Sequence, residues 1–359
     1  MLNFIYYPIS AVMWFWREAL TFLGMNANAG VTWLLAIVLL TATIKALLVY
    51  PMVQSLRSSR KMQELTPKIQ AVRERYKNDK TKLAEETQKV YKDAGFNPLS
   101  SCIPMFVQIP VFIGIFHVLR SFNRTGTAAG GLGLTVEENR AIGNYIFSAE
   151  DVRSFLDAEI FGVPLSVAIG TPTEQFAAYG TDFTRLDVAY VAVPFIVLIV
   201  LFTHFNARYT LNRQHTRQAS GKAPQPTGDN AEMMQMQQQM MGKMMLWVFP
   251  AMTIMTGYLW AIGLLAYMLT NTVWTFVQTR LVYKKMDKEE EEEIARREKV
   301  KAELAPVVNA RTVDKRSKKQ RKAEQEAQQL AEQQAKERAL KQRQAAQRAR
   351  SQSKKKKKN

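Results

Sequence analysis

The sequence predicts an all-α membrane protein: five membrane-crossing helices, a cytoplasmic helical hairpin, an N-terminal interfacial helix and a disordered, basic C-terminal tail. Three observations carry this expectation. Apolar residues are bunched into long runs, basic residues are spread unevenly between those runs, and the composition shifts abruptly at Lys284. Runs of about 20 apolar residues match the thickness of a bilayer core.

Residues 1–30 contain "FIYYPISAVMWFWREALTFL", Phe4 to Leu23, which is apolar but carries Pro8 and the adjacent Arg17 and Glu18. It has neither the basic start nor the small-residue cleavage site of a signal peptide. Its density of Trp and Tyr suits a helix lying in the outer interface. The rival reading, a sixth span, would put the N terminus inside and competes with the charge count.

The first span, 31–52, includes "LLAIVLLTATIKALLVYPM", in which Lys45 follows Thr41 and Thr43. A charge within hydrocarbon costs about 2.5–3.5 kcal/mol even on the forgiving insertion scale. Either the lysine snorkels to the headgroups or it sits in a wetted groove. Residues 53–98 alternate charged and apolar residues at helical spacing, with Ile69, Val72 and Tyr76 before a break at Asn78 or Asp79 and Leu83, Thr87, Val90 and Tyr91 after it. Asn78 or Asp79 suits an N-cap and Gly95 a helix stop, so this reads as an antiparallel hairpin. It is longer than a mere connection needs. Its cationic residues Arg73, Arg75, Lys77 and Lys82 are candidate contacts to a partner.

Further spans are expected at about 99–120 and 188–206. From Met244 to Thr279 there are 36 residues without Asp, Glu, Lys or Arg. As one helix they would measure about 54 Å against a core of about 30 Å. The run must therefore fold back near Trp260–Gly263, with the glycine relieving a tight reversal, which gives spans at 244–261 and 263–282. The loop 207–243 ends in "EMMQMQQQMMGKMM". This is either an adaptable methionine surface or an amphipathic lead-in helix resting on the membrane.

Lys and Arg number 11 in 53–98, 5 in 207–243 and 26 from Arg280 onward, whereas 121–187 is rich in acids. The positive-inside rule places the first three segments in the cytoplasm and the N terminus and 121–187 outside, which requires an odd number of spans. The tail, 284–359, has too few large apolar residues for a core. Its cationic excess suits ribosomal RNA or anionic lipids, and its lack of aromatics argues against reading base sequence.

Cys102 is the single cysteine, so no intrachain disulfide is possible, and it reads as a small buried hydrophobe. His117 and His204 fall at opposite ends of their spans and His215 in a polar loop, so no metal cluster is legible. No phosphate loop, nucleophile elbow, HExxH or dinucleotide fingerprint occurs. An ATP-driven pump is disfavoured, and neither an enzyme nor any cofactor is expected.

The stretch "TPKIQAVRERYKNDKTKLAEETQKVYKDAGFNPLSSCIPMFVQIPVF", Thr66 to Phe112, is similar to the hairpin and following span of the YidC/Oxa/Alb family of bacterial membrane protein insertases. The similarity is looser over the rest of Phe4 to Tyr283 and does not cover 121–187 or the tail. It implies a five-span core in the bacterial plasma membrane, with a hydrophilic groove open to the cytoplasm and closed toward the outside. In the family a basic residue, usually arginine, sits in that groove. Lys45 falls on its position, Thr41 matches a polar groove residue, Gln108 a glutamine, and Tyr267 and Asn271 the aromatic and amide of the last span. Two departures are a lysine in place of the arginine and the absence of the family's proline before the last span.

The implied function is insertion of hydrophobic segments of nascent membrane proteins, alone or with the Sec translocon, with ribosomes bound by the tail and hairpin. A solute transporter and a ribosome-tethering membrane scaffold are the rivals. Neither accounts for a charge within the first span.

Overall fold

The computed structural model of the chain describes residues 2–97, 100, 103–125, 132–179, 182–223, 225 and 231–304. Cys102 and most of the basic tail, about which the sequence raised expectations, lie outside the described residues. The chain divides at Glu291 into two units. All the packing described here belongs to the first.

Helix α1 (Asn3–Phe22) packs against α2 (Gly30–Leu47) and α5 (Ile103–Arg120). Its Ile9 and Met13 are buried, and the Trp16 indole donates to Thr43 at 2.9 Å. By length and hydropathy, α2 and α8 (Arg185–Ala219) are each apolar enough to cross a membrane, and α5 contains a shorter apolar helix.

The first apolar run does not continue as one helix to residue 52. α2 stops at Leu47 and α3 (Val49–Arg75) begins after Leu48. Pro51 supplies the physical reason: it lacks an N–H to bond back to residue 47 and its ring crowds the preceding turn, a conflict that disappears when it falls in the first turn of a new helix. Lys45 therefore sits in the last turn of α2, where the carbonyl end of the helix dipole favours a cation.

α3 folds back onto α4 (Lys80–Asp93), with Met62, Val90 and Tyr91 packed around buried Leu65, Ile69 and Phe96. Of the two candidate caps, Asp79 is used: its carboxylate accepts from the Lys82 N–H at 3.0 Å. Gly95, at φ +59°, follows the helix end in the left-handed region.

Residues 132–179 are folded, although the sequence left them unassigned. Helices α6 (Val136–Ala141) and α7 (Ala149–Asp157) both start at capping boxes, Thr135 with Glu138 and Ser148 with Asp151. A two-stranded hairpin follows, β1 (Glu159–Ile160) and β2 (Val163–Pro164). Trp33 of α2 is fully buried against Phe147 and Phe155 of this segment and against Phe122, with ring centroids 5.2–5.8 Å away. Its indole donates to Ser154 Oγ at 3.0 Å. Arg17 of α1 donates to the Asp151 carboxylate at 2.5 Å, with both side chains largely buried. The segment therefore grips the first turns of α2.

α9 (Ala231–Lys243), a π-helical stretch (Met244–Val248) and α10 (Phe249–Gly257) form one continuous helix. The reversal falls at 258–261, before α11 (Ile262–Leu304), as expected, but the role given to Gly263 is corrected. Gly263 lies inside α11, and a Cβ there would come to 3.3 Å from Ile37 and 3.4 Å from the Leu165 carbonyl. Close approach, not turn geometry, is what the glycine serves here. The reversal is held from outside itself: Gly170 N–H donates to Tyr258 O at 2.7 Å, and the Gly263 and Ile262 amides donate to Leu165 O and Val167 O at 2.8 and 3.0 Å.

The boundary expected at 284 is also corrected. α11 continues to Leu304 because its acidic stretch is held by arginines: Glu289 by Arg57 at 3.0 Å, Glu290 by Arg60 at 3.3 Å and by Arg217, and Asp287 by Arg213. What composition marks as a disordered start is the ordered meeting point of α3, α8 and α11.

Candidate functional site

A cavity of about 530 Å³ lies between the last turn of α2, the start of α3, α5 and α11. Most of its wall is apolar, including Leu48, Pro51, Met52, Val107, Phe112 and Met268. Polar groups enter it from three helices: Lys45 from α2, Gln108 from α5, and Tyr267, Asn271, Thr275 and Gln278 from α11.

The Lys45 ammonium is the centre of this set. It donates to Gln108 Oε1 at 3.2 Å and reaches Thr275 Oγ1 at 3.5 Å. Among the described residues it forms no ion pair, so it is a half-buried cation solvated by two neutral oxygens. Thr275 spends its own proton on the Asn271 carbonyl at 2.8 Å, which leaves its lone pairs for the lysine. Gln108 also interacts with the Tyr267 hydroxyl, and Tyr267 is almost fully buried.

Two buried polar atoms on lining residues, Asn271 Oδ1 and Gln278 Nε2, have no hydrogen-bond partner among the described residues. Buried polar groups are nearly always paired, so a free acceptor and a free donor beside the cavity suit water or an incoming polar chain. The volume equals about 18 waters at about 30 Å³ each. It also equals about one turn of an α-helix some 11 Å across with a 5.4 Å pitch. The cavity has room for the tip of a polar segment.

Of the residues expected here, Lys45, Gln108, Tyr267 and Asn271 line the one cavity. Thr41 does not. It is buried one turn back, beside a small adjoining pocket, and its hydroxyl donates to the Ile37 carbonyl at 2.8 Å. Back-bonding to its own helix is the ordinary fate of a threonine in an apolar helix. Thr275 and Gln278 were missed, yet their signal is legible: positions 267, 271, 275 and 278 repeat at four, four and three residues, one polar stripe along a helix. Among the hairpin candidates, Arg73, Arg75, Lys77 and Lys82 are all exposed. Arg75 lies over the Tyr76 ring at 5.8 Å and Lys82 is 3.6 Å from Asp79.

Residues 24–290 match the family described as the 60Kd inner membrane protein. The chain belongs to this family. The match begins just before α2 and ends within α11, so it contains every wall of the cavity and leaves out α1. Similar proteins include the membrane protein insertase YidC of Mycobacterium tuberculosis, 39% identical over 310 residues that make up 86% of this chain and 80% of that protein. The protein of the same name from Mycolicibacterium paratuberculosis is 38% identical over 290 residues, 81% of this chain and 77% of that one. That of Streptomyces avermitilis is 34% identical over 257 residues, 72% of this chain and 52% of its own length. Membership in the 60Kd inner membrane protein family, with the apolar helices described above, makes this a bacterial cell membrane protein.

Proposed function

We propose that the chain is a membrane protein insertase that moves hydrophobic segments of newly made proteins into the bilayer past the cavity around Lys45, without covalent chemistry. The observation that carries this reading is a cation with no counter-ion among the described residues, beside a donor and an acceptor that find no partner among them, in a largely apolar cavity whose polar groups come from three helices. Burial of the client's apolar surface supplies the driving force, about 25 cal/mol per Å² removed from water. The barrier is the polar tail that must follow or precede the span. A wetted cavity of one helical turn shortens that tail's path through hydrocarbon and offers it an ammonium, an amide and hydroxyls.

In the arrangement proposed, five segments cross the membrane, about 31–52, 99–120, 188–206, 244–261 and 263–282. The N terminus and 121–187 are outside; the 53–98 hairpin, the 207–243 loop and the C terminus are in the cytoplasm. The hairpin cations and the basic tail engage ribosomes and anionic lipids, and the insertase works alone or beside the Sec translocon. The test is reconstitution of the purified protein in liposomes during synthesis of a small single-span client. Protease-protected client in amounts that rise with insertase density is expected. Client recovery no greater than in empty liposomes would overturn the reading.

A further inference from the structure

The hairpin β1–β2 turns through two residues, Phe161 at φ 52° and Gly162 at φ 76°. Two consecutive left-handed residues make the tight turn that suits strand twist, and Asn-Gly or Gly-Gly are the sequences that form it at little cost. Phenylalanine at the first position is strained, because its Cβ crowds the backbone there. It is also 91% exposed, while its neighbours Ile160 and Val163 are buried. One residue thus carries two penalties at once, backbone strain and a fully presented aromatic ring. Such an outlier points to a role for the side chain rather than for the turn.

The base of the hairpin is pinned to the first turns of three apolar helices. A Cβ on Gly30, the first residue of α2, would lie 2.0 Å from the Glu159 carbonyl oxygen, so β1 rests directly on that helix end. β2 packs against α8. The residues just after β2 accept the first amides of α11, Gly263 to Leu165 and Ile262 to Val167. The N-terminal ends of α2, α8 and α11 thus share one level. On the first turns of α8 that level also exposes Leu186 and Tyr190, 72% and 78%. Ends of apolar helices mark the boundary between hydrocarbon and headgroups, where aromatic side chains concentrate.

We propose that Phe161 is a lipid anchor: the hairpin tip sets its ring into the boundary between headgroups and acyl chains and so holds the docked ends of α2, α8 and α11 at a fixed depth. The ligand is the lipid surface itself. That the leaflet is the outer one rests on the orientation proposed above; immersion of the ring does not.

The test uses the full chain in phosphatidylcholine–phosphatidylglycerol vesicles, with Cys102→Ser to remove the single native thiol. An environment-sensitive fluorophore is attached at Phe161→Cys and, as a reference, at Glu137→Cys on exposed α6. The label at 161 should emit to the blue of the reference, be quenched at least twofold by lipids brominated near the headgroup, and resist aqueous iodide. Weaker quenching by lipids brominated near the chain ends is expected. Iodide-sensitive, solvent-like emission at 161 that ignores brominated lipid would overturn the proposal, as would a blue shift that appears only when another protein is added. An impermeant thiol reagent, applied before labelling, reports the side separately. Reaction from the cytoplasmic face with lipid quenching retained would sink the orientation and leave the anchor standing. Phe161→Asn, which favours the turn, should fold at least as well as the parent and weaken the lipid quenching of a fluorophore at Leu186→Cys on the same level; quenching unchanged there would also overturn it.

Discussion

Reversing the charge at Lys45 tests the proposed mechanism most directly. Among the described residues its ammonium reaches two neutral oxygens, at 3.2 and 3.5 Å. A client carboxylate entering the cavity therefore competes with no protein counter-ion among the described residues. At about 4 Å and an effective dielectric of about 20, the attraction is about 4 kcal/mol. That sets an upper bound of about 10³ on the rate at stake, at 1.36 kcal/mol per factor of ten. Loss of hydration by the client carboxylate lowers the observable effect, so Lys45→Ala should slow insertion of a client with an acidic translocated tail about 10- to 100-fold. Lys45→Glu should slow it further, since attraction becomes repulsion. Lys45→Arg should retain function, because a point charge on Gln108 and Thr275 requires no particular fork geometry and the cavity has room for the larger head. The assay is protease protection of paired clients that differ only in tail charge, scored against equal insertase expression. Neutral-tail clients should show the smaller loss. Full insertion of acidic-tail clients by Lys45→Glu would refute the reasoning and reduce Lys45 to a lysine reaching for headgroups.

Three further outcomes are expected. Cysteines introduced at Asn78, Ser220 and Ser351 should react with an impermeant reagent only from the cytoplasmic side and one at Thr173 only from outside; Asn78 and Thr173 reacting from the same side would break the five-span arrangement. Removal of residues 311–359 should weaken co-sedimentation with ribosomes and flatten the salt dependence of what remains, because counterion release scales with the phosphates neutralised; unchanged ribosome binding with weaker binding to anionic vesicles would assign the tail to lipid instead. At Glu290, burial pushes the carboxyl pKa up, but the hydrogen bond and charge of Arg217, with Arg60 and Lys222, outweigh it and hold the group below its ordinary value of 4.5. A depressed folded-state pKa stabilises above that value and is lost as pH falls through it. Glu290→Ala should cost about 3–5 kcal/mol near neutral pH, as expected for an opened buried pair, and Glu290→Gln should flatten the acid limb of a thermal unfolding series below about pH 5. An acid limb identical to the parent's would remove the network from the stability of the α3, α8 and α11 junction.

Local chemistry was enough to read some of the helices and their ends. The apolar runs, a cap at Asn78 or Asp79 and the Gly95 stop are set by residues close in sequence, and the length of the 244–279 run alone required a reversal, through hydrogen-bonding rules and dimensions that hold wherever the chain lies. Four of the five residues assigned to the groove also line one cavity, and the polar stripe on α11 could have supplied Thr275 and Gln278 by spacing alone. The remainder depends on partners far apart in the chain. Thr41 and Lys45 share a helix face, yet only packing decides that one hydroxyl turns back to Ile37 while the ammonium crosses to α5 and α11. The acidic run after Lys284 resembles a disordered tail by composition, and becomes ordered helix because Arg57, Arg60, Arg213 and Arg217 meet it from α3 and α8. Gly30 and Gly263 look like permissive residues, and their use is the close approach of backbone from 159–165. Periodicity and charge counts see neighbours along the chain, whereas burial of Arg17 on Asp151, of Trp33 among three phenylalanines and of Lys45 between two polar oxygens exists only where tertiary structure brings distant residues together.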